Sequence, residues 1–451
     1  MSPRGKVPSL LPPLRPSRTA RRPATAERTL PNGLHVLAVR RPSVPLVELR
    51  LRIPFAGRAP AQRARASLLA NSLLLGTARR SEIDLVQALQ EVGTELSVAT
   101  DADRLHLGGT VLRTGLPTAL ALLAELLTAA AYPADLVEGE RQRLAEQLHI
   151  ARSQPQVVAR TARAARLYGT HPYASPLPTD ADVAALTPVA VRRLHRDRVQ
   201  PNGSTLVLVG DLSPARALDV VEAALGGWAS AAAPATLPAL TAPAPGPLVL
   251  VDRPGAVQSS LRLSGPAPTR TTPGYAAMQL ANLVFGGYFS SRYVENIRED
   301  KGYTYTPRSS VEHRAAGSSF HVEADVSTAV TAPALLETGY ELGRMVTGPV
   351  RAAELDNARQ YVLGNLALSV STQAGLASTL VGLSGHGLGL DWLAEYRRQL
   401  LRVTVDDVLE QSRRYLAPSR LVTIVVGDAA KVREGLQTLE EVGTAEPVDA
   451  S

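Results

Sequence analysis

Ser230 to Pro247 reads SAAAPATLPALTAPAPGP, eighteen residues with no charge and no periodicity. Prolines at 234, 238, 243, 245 and 247 deny it helix and sheet ladders, so it predicts a semi-rigid tether between two folded units. Outward from it, the two sides read as diverged copies of one unit. Arg41-Pro42 followed by Leu49-Arg50-Leu51 matches Arg253-Pro254 followed by Leu261-Arg262-Leu263, at an offset of 212. Ala70-Asn71 with Gly76 matches Ala281-Asn282 with Gly287, at 211. Thr187, Pro201 and Thr205–Val209 with Gly210-Asp211 match Thr404, Pro418 and Val422–Val426 with Gly427-Asp428, at 217. Three matches in one order at nearly constant offset argue for a tandem repeat of about 210 residues. The expected organisation is a tail at 1–26, a unit at 27–229, the linker at 230–247, a second unit at 248–440 and a tail at 441–451.

Each unit shows the same coarse pattern. Strand-like runs open it, at Leu34–Ala38 and Leu46–Ile53, then at Leu248–Val251 and Ser259–Leu263. Helices are expected over Gln62–Leu75 and Ala276–Phe285, and another from Ser81, where Ser-x-x-Asp84 forms a capping box ahead of Leu85, Leu89 and Val92. Further strands are expected at Leu105–Leu112 and Ser318–Val326, then long Ala/Leu-rich helices and a closing strand. Strands grouped around helices predict an α+β class, two tandem homologous sandwich domains with one sheet face covered.

Composition bounds the function. There is no cysteine, which excludes disulfides, thiolate metal sites and thiol catalysis. No run approaches 18 uninterrupted apolar residues, so no membrane span is expected. The pI near 9.8 suggests nucleic acid. However, Arg4, Lys6, Arg15, Arg18, Arg21 and Arg22 all fall in residues 1–26, which hold no acid. Taking those six from 48 leaves 42 basic against 41 acidic residues, so the folded body is nearly neutral and no nucleic-acid partner is expected. The tail reads as a disordered extension and lacks the apolar core of a secretory signal. Only three lysines (Lys6, Lys301, Lys431) in an Ala-, Arg- and Leu-rich chain suggest a GC-rich bacterial genome and a cytoplasmic protein.

Three segments then carry a family resemblance. Residues 285–305, FGGYFSSRYVENIREDKGYTY, are the most specific. His171-Pro172-Tyr173-Ala174-Ser175-Pro176 is the second, and Leu73–Asp101, around Gly76-Thr77, the third. Together they resemble the insulinase/pitrilysin family of zinc peptidases over roughly residues 27–440. The resemblance implies α+β domains that close like a clamshell around a peptide, and a helix-loop-helix at Leu73–Asp101.

Active members of that family carry H-x-x-E-H on a helix, two zinc-binding imidazoles and a carboxylate that activates water. Counting back from Gly76-Thr77 puts the motif positions at Ser67, Ala70 and Asn71. The third ligand's position, seven residues after Glu140, is Gln147, and Glu146 points about 100° away on a helix. None supplies the zinc chemistry. Elsewhere, His321-Val322-Glu323 reads as a polar strand face and His171 as an organiser of its own loop.

The family's substrate-binding Arg and Tyr, seven residues apart in the second unit, match Arg298 and Tyr305 around Gly302. A guanidinium and a phenol both donate to a carbonyl oxygen that becomes anionic, and neither activates water. Arg298 beside Glu299 and Asp300 also reads as a surface ion pair, and Tyr305 as a packing residue. Arg292 is expected to anchor helix to sheet, and Pro307 to shorten a strand edge. The resemblance implies a metal-free subunit of a heterodimeric zinc peptidase, its partner a homologous H-x-x-E-H chain holding the zinc, its substrates peptides. The alternative is an inert scaffold or peptide-binding module, since some members serve as structural subunits of respiratory complexes. A stand-alone hydrolase is the weakest reading, for there is no G-x-S-x-G elbow.

Overall fold

The structure is a computed structural model that describes residues 22–59, 61–229, 233–234, 236–244, 246–439 and 441–445. The basic stretch of the expected N-terminal tail up to residue 21 lies outside the described residues, as do residues 446–451.

The first half builds one six-stranded sheet from β1 (Thr25–Thr29), β2 (His35–Arg40), β3 (Leu46–Pro54), β4 (Glu95–Thr100), β5 (Arg104–Leu112) and β6 (Thr205–Gly210). The second half builds another from β7 (Leu248–Asp252), β8 (Gln258–Ala267), β9 (Arg308–Arg314), β10 (Gly317–Ser327), β11 (Val422–Gly427) and β12 (Val442–Ala445). The orders are β1-β2-β6-β3-β5-β4 and β12-β7-β11-β8-β10-β9. In each sheet a parallel pair (β2 with β6, β7 with β11) is followed by antiparallel neighbours, so the two halves share one topology over five strands; the sixth differs, β1 pairing antiparallel with β2 and β12 parallel with β7.

The repeat extends to single hydrogen bonds. Arg50 Nη1 donates to Leu49 O (2.8 Å) and Gly109 O (2.9 Å), and Nη2 to Glu48 Oε2 (2.7 Å). Arg262 Nη1 donates to Leu261 O (2.9 Å) and Ala324 O (3.0 Å), and Nη2 to Asp325 Oδ1 (2.8 Å). Thr187 and Thr404 both cap helices, accepting from Ala190 N and Asp407 N at 3.2 Å. The Ser81–Asp84 capping box also forms, at 3.2 and 3.3 Å.

Four expectations change. β1 begins inside the stretch assigned to the N-terminal tail, and β12 inside that assigned to the C-terminal one. Both are short edge strands, with too little apolar alternation to announce themselves. Leu73–Asp101 holds one helix, Glu82–Glu91, and then β4, rather than two helices. The helix expected to run to Phe285 ends at Asn282 and continues as a π-helical turn over Leu283–Gly287.

The fourth correction concerns the sheets' second faces, which were expected bare. The Gln373–Ser384 helix of the second half packs on the first sheet, burying Leu376, Ala377 and Leu380 against Val39, Val207 and Val209. Reciprocally, the Pro155–Tyr168 helix buries Ala159, Ala162 and Leu167 against Val251, Val422, Ile424 and Val426 of the second sheet. Each buried leucine contributes about 1.5–3 kcal/mol by leaving water. β6 and β11 explain the pairing, because their apolar runs do not alternate and so bury both faces.

Polar contacts lock the same seam. Asp103 accepts from the Tyr173 hydroxyl and, at 3.0 Å, from Ala315 N at the β9–β10 turn. Ala316 N donates back to the Tyr173 hydroxyl at 3.2 Å. His171 Nδ1 accepts from Tyr173 N (3.2 Å) and its Nε2 meets Pro238 O of the linker (3.0 Å), so the histidine organises its loop.

Candidate functional site

Arg298 sits in a second π-helical turn, Glu295–Asp300. Such turns widen a helix locally and recur at functional sites. Gly302 ends this one in the left-handed region, at φ +63°. Its N–H donates to Arg298 O (3.1 Å), and Tyr303 N donates to Ile297 O (2.9 Å). The reversal returns the chain over the helix it has just left. That is the physical content of the Arg-x-x-x-Gly-x-x-Tyr frame: it lays Tyr305 against Arg298.

The result is a three-layer stack. The Arg298 guanidinium carbon lies 4.7 Å from the Phe289 ring centroid and 4.9 Å from that of Tyr305. Both rings are exposed, 62% and 78%, which is unusual for apolar side chains of that size and marks a contact surface. Arg298 Nε also meets Glu299 Oε1 at 3.3 Å, so the ion-pair reading describes one edge of the guanidinium. Among the described residues, no hydrogen-bond partner holds the Arg298 Nη atoms or the Tyr305 hydroxyl. Phe289 was missed from the sequence. Its one signal was an aromatic beside Gly286-Gly287, with no reason to separate it from Tyr288, which instead packs on Tyr361 (5.0 Å).

The surrounding scaffold is rigid for identifiable reasons. A Cβ on Gly286 would lie 2.9 Å from Ser309 Oγ, and that hydroxyl donates to Asn282 Oδ1 at 2.8 Å. Arg292 forms a two-pronged pair with Glu354, at 2.9 and 2.8 Å. The anchor therefore runs to the Ala352–Ser369 helix, not to the sheet as expected. β9 starts at Arg308, directly after Pro307, and pairs with β10 only as far as Glu323. The edge beyond it is shortened, as the proline implied.

The positions expected to match the family's zinc ligands present a different picture. Ser67, Ala70 and Asn71 lie on the Gln62–Ser72 helix, half-buried, buried and exposed respectively. Gln147 is exposed on the Ala134–Ser153 helix. None carries an imidazole or a carboxylate, so these residues do not fit a zinc ion. Among the described residues no three His, Cys, Asp or Glu side chains converge to hold a metal. His321 is buried among Ser264, Ser319 and Glu312, and Glu323 faces Arg163 and Arg308, so the two do not form a ligand pair.

These electrostatics predict acid sensitivity. Burial alone would raise Glu312, Glu323 and Glu354. Hydrogen bonds and cations outweigh it (His321 and Arg314, Arg163 and Arg308, Arg292 and Arg351), holding all three at about 2. Burial, then Arg270 and His386, push His313 down to about 3. An unfolded histidine binds a proton below about 6.5 and an unfolded carboxylate below about 4.3. The unfolded state thus takes up more protons at every step, and stability falls from about pH 6.5 downward and further below about 4.5. Calorimetry should show Tm dropping on the order of 5 °C between pH 7 and 4, and a flat profile would contradict the burial of His313.

Residues 60–180 match the sequence model of the insulinase peptidases (peptidase family M16), and residues 185–362 match that of the peptidase M16 inactive domain. The chain belongs to the insulinase family of peptidases. A zinc protease of Mycobacterium bovis is 26% identical over 414 residues, 89% of this chain and 94% of that protein. A zinc protease of Streptomyces coelicolor is 27% identical over 287 residues, a match spanning 62% of each chain and so under two thirds of that protein. In fold, the chain superposes on the peptidase M16 inactive domain of Pseudomonas fluorescens (TM-score 0.83, 22% identity, 90% of this chain and 98% of that one). It also superposes on a protease of Helicobacter pylori (TM-score 0.82, 18% identity, 90% and 100%). Within the insulinase fold this chain is peptidase-like without the family's zinc-binding side chains. No single described helix is long and apolar enough to cross a membrane.

Proposed function

We propose that this chain is the non-catalytic subunit of a bacterial two-chain zinc peptidase, supplying Arg298, Tyr305 and half of a peptide chamber to a homologous H-x-x-E-H partner. The observation that carries the reading is the Phe289–Arg298–Tyr305 stack, an exposed guanidinium and phenol with donors to spare, on a chain whose zinc positions cannot bind metal. The partner's zinc would supply the activated water. This chain's part is electrostatic. Arg298 Nη and the Tyr305 hydroxyl donate to the scissile carbonyl oxygen, and their hydrogen bonds strengthen as that oxygen becomes anionic. Phe289 restricts the guanidinium to one plane, so little side-chain entropy is lost when it binds.

The test is reconstitution. Purified alone, the chain should contain no stoichiometric zinc and hydrolyse no peptide. Mixed with a homologous H-x-x-E-H chain from the same organism, it should form a complex that cleaves unstructured peptides faster than that partner alone. Zinc or turnover in the lone chain would overturn the proposal, and a complex that assembles without any gain in cleavage would favour a scaffold.

A further inference from the structure

A second site lies in the first half, away from the Arg298 surface, and takes in Ser67, one of the expected zinc positions. A cavity of about 430 Å³ opens between the start of the Gln62–Ser72 helix, the β4–β5 turn and the His171–Pro178 loop. That volume suits a residue or two of an extended peptide. Arg58, Arg63 and Ser67 line it, with Asp101 and His171 opposite.

Arg63 is the anomaly. Its side chain lines the cavity and, among the described residues, makes no hydrogen bond and no ion pair, with Nη2 itself closed off from solvent. A buried guanidinium N–H without an acceptor is costly: burial and the charge of Arg314 oppose it, and Asp101 and Asp103 offset them only from a distance. The obvious carboxylates are already taken. Asp101 Oδ1 accepts from Asp103 N (2.8 Å) and Arg104 N (3.0 Å), and Oδ2 from Arg104 Nε (2.7 Å). Asp103 is held by the Tyr173 hydroxyl and Ala315 N. His171 has both ring nitrogens engaged. The helix that carries Arg63 starts with no side-chain cap and no acidic residue in its first turn, so its positive end also faces this space uncompensated. An orphan guanidinium, an uncapped helix start and an exposed second arginine converge on one concave volume.

We propose that this cavity receives a peptide carboxylate on Arg63, with Arg58 at its mouth. The proposal rests on the peptide-binding reading above and adds a charge preference to it. Two sources share that chemistry, the peptide's own C-terminus and an Asp or Glu side chain.

Three fluorescein-labelled peptides of one acid-free sequence separate them: the free acid, its C-terminal amide, and the amide with one Glu introduced. Binding to the full chain is read by anisotropy. The free acid, the Glu-containing amide, or both should bind about tenfold tighter than the plain amide, and whichever does identifies the source. Arg63→Met, which keeps the apolar stem, should abolish that difference with little change in Tm, because the side chain gives up no hydrogen bond or ion pair and sheds the cost of burying a charge. Arg63→Lys should restore part of it. Equal binding of all three peptides, or a preference that survives Arg63→Met, overturns the carboxylate site and leaves peptide binding standing. No binding of any peptide overturns both.

Discussion

Replacing Arg298 with alanine in the reconstituted pair should lower kcat by about 100-fold or more, with KM changed far less. The asymmetry follows from where the interaction is made. A neutral carbonyl oxygen accepts only weakly from a guanidinium, whereas the oxyanion of the tetrahedral intermediate accepts a charge-assisted bond. The lost energy therefore falls mainly on the transition state. Arg298→Lys should recover only part of the loss, because an ammonium has neither the planar fork nor the delocalised charge of the guanidinium whose carbon lies 4.7 and 4.9 Å from the Phe289 and Tyr305 rings. Tyr305→Phe keeps the stack and removes one donor, so about a tenfold loss is expected. Tyr305 is 78% exposed, so its removal should leave the melting temperature unchanged. Steady-state kinetics of the three variants decide the matter: turnover equal to wild type in both Arg298→Ala and Tyr305→Phe would show that the pair is a relic.

How much of this was legible beforehand depends on what kind of information each feature uses. Arg298 and Tyr305 were named on the family resemblance, and their contact follows from local geometry: a helix end, a left-handed glycine at 302 and a return of three residues. Phe289 was not, because its distance from Arg298 is set by the intervening chain through Arg292 and its pair with Glu354, 62 residues away. The lack of an H-x-x-E-H run is a matter of residue types alone, since no fold turns alanine into a base. The cavity at Arg63 was not readable, because three segments far apart in sequence build it.

The fold divides in the same way. The repeat was visible in short identical runs, and Arg50 and Arg262 show why those runs persist: each ties its own strand to the next by the same bonds. The crossed helices were invisible. Ala159, Ala162 and Leu167 form a small apolar stripe that suits either sheet, and nothing local says which. The unbroken apolar runs of β6 and β11 did hold the clue, because a strand that does not alternate has both faces to bury. The short polar strand β1 and the chain-end strand β12 had no such signal. Their positions come from hydrogen bonding to β2 and β7 rather than from side-chain pattern.

Phe285→Ala should be the most destabilising single change near the candidate site, and the contrast with Phe289→Ala tests how packing supports it. Phe285 is fully buried in the first π-helical turn, stacked on Tyr293 at 5.2 Å and edge-on to Phe320 at 6.1 Å. Truncating a buried phenylalanine costs roughly 3–5 kcal/mol, part lost transfer energy and part the cavity left behind. For a unit of this size that lowers Tm by about 10 °C. Tyr293 lies in the short helix that runs directly into the Arg298 turn, so the cavity would also loosen the guanidinium's position, and activity should fall even well below the new Tm. Phe289 is exposed and carries the Arg298 guanidinium over its ring, so Phe289→Ala should leave Tm nearly unchanged and still reduce kcat several-fold, by the amount one cation–π contact contributes. Paired calorimetry and kinetics separate the two effects. Were Phe285→Ala to melt like wild type, the second core would not be holding the π-helical turns, and the rigidity argued for Arg298 would lose its physical basis.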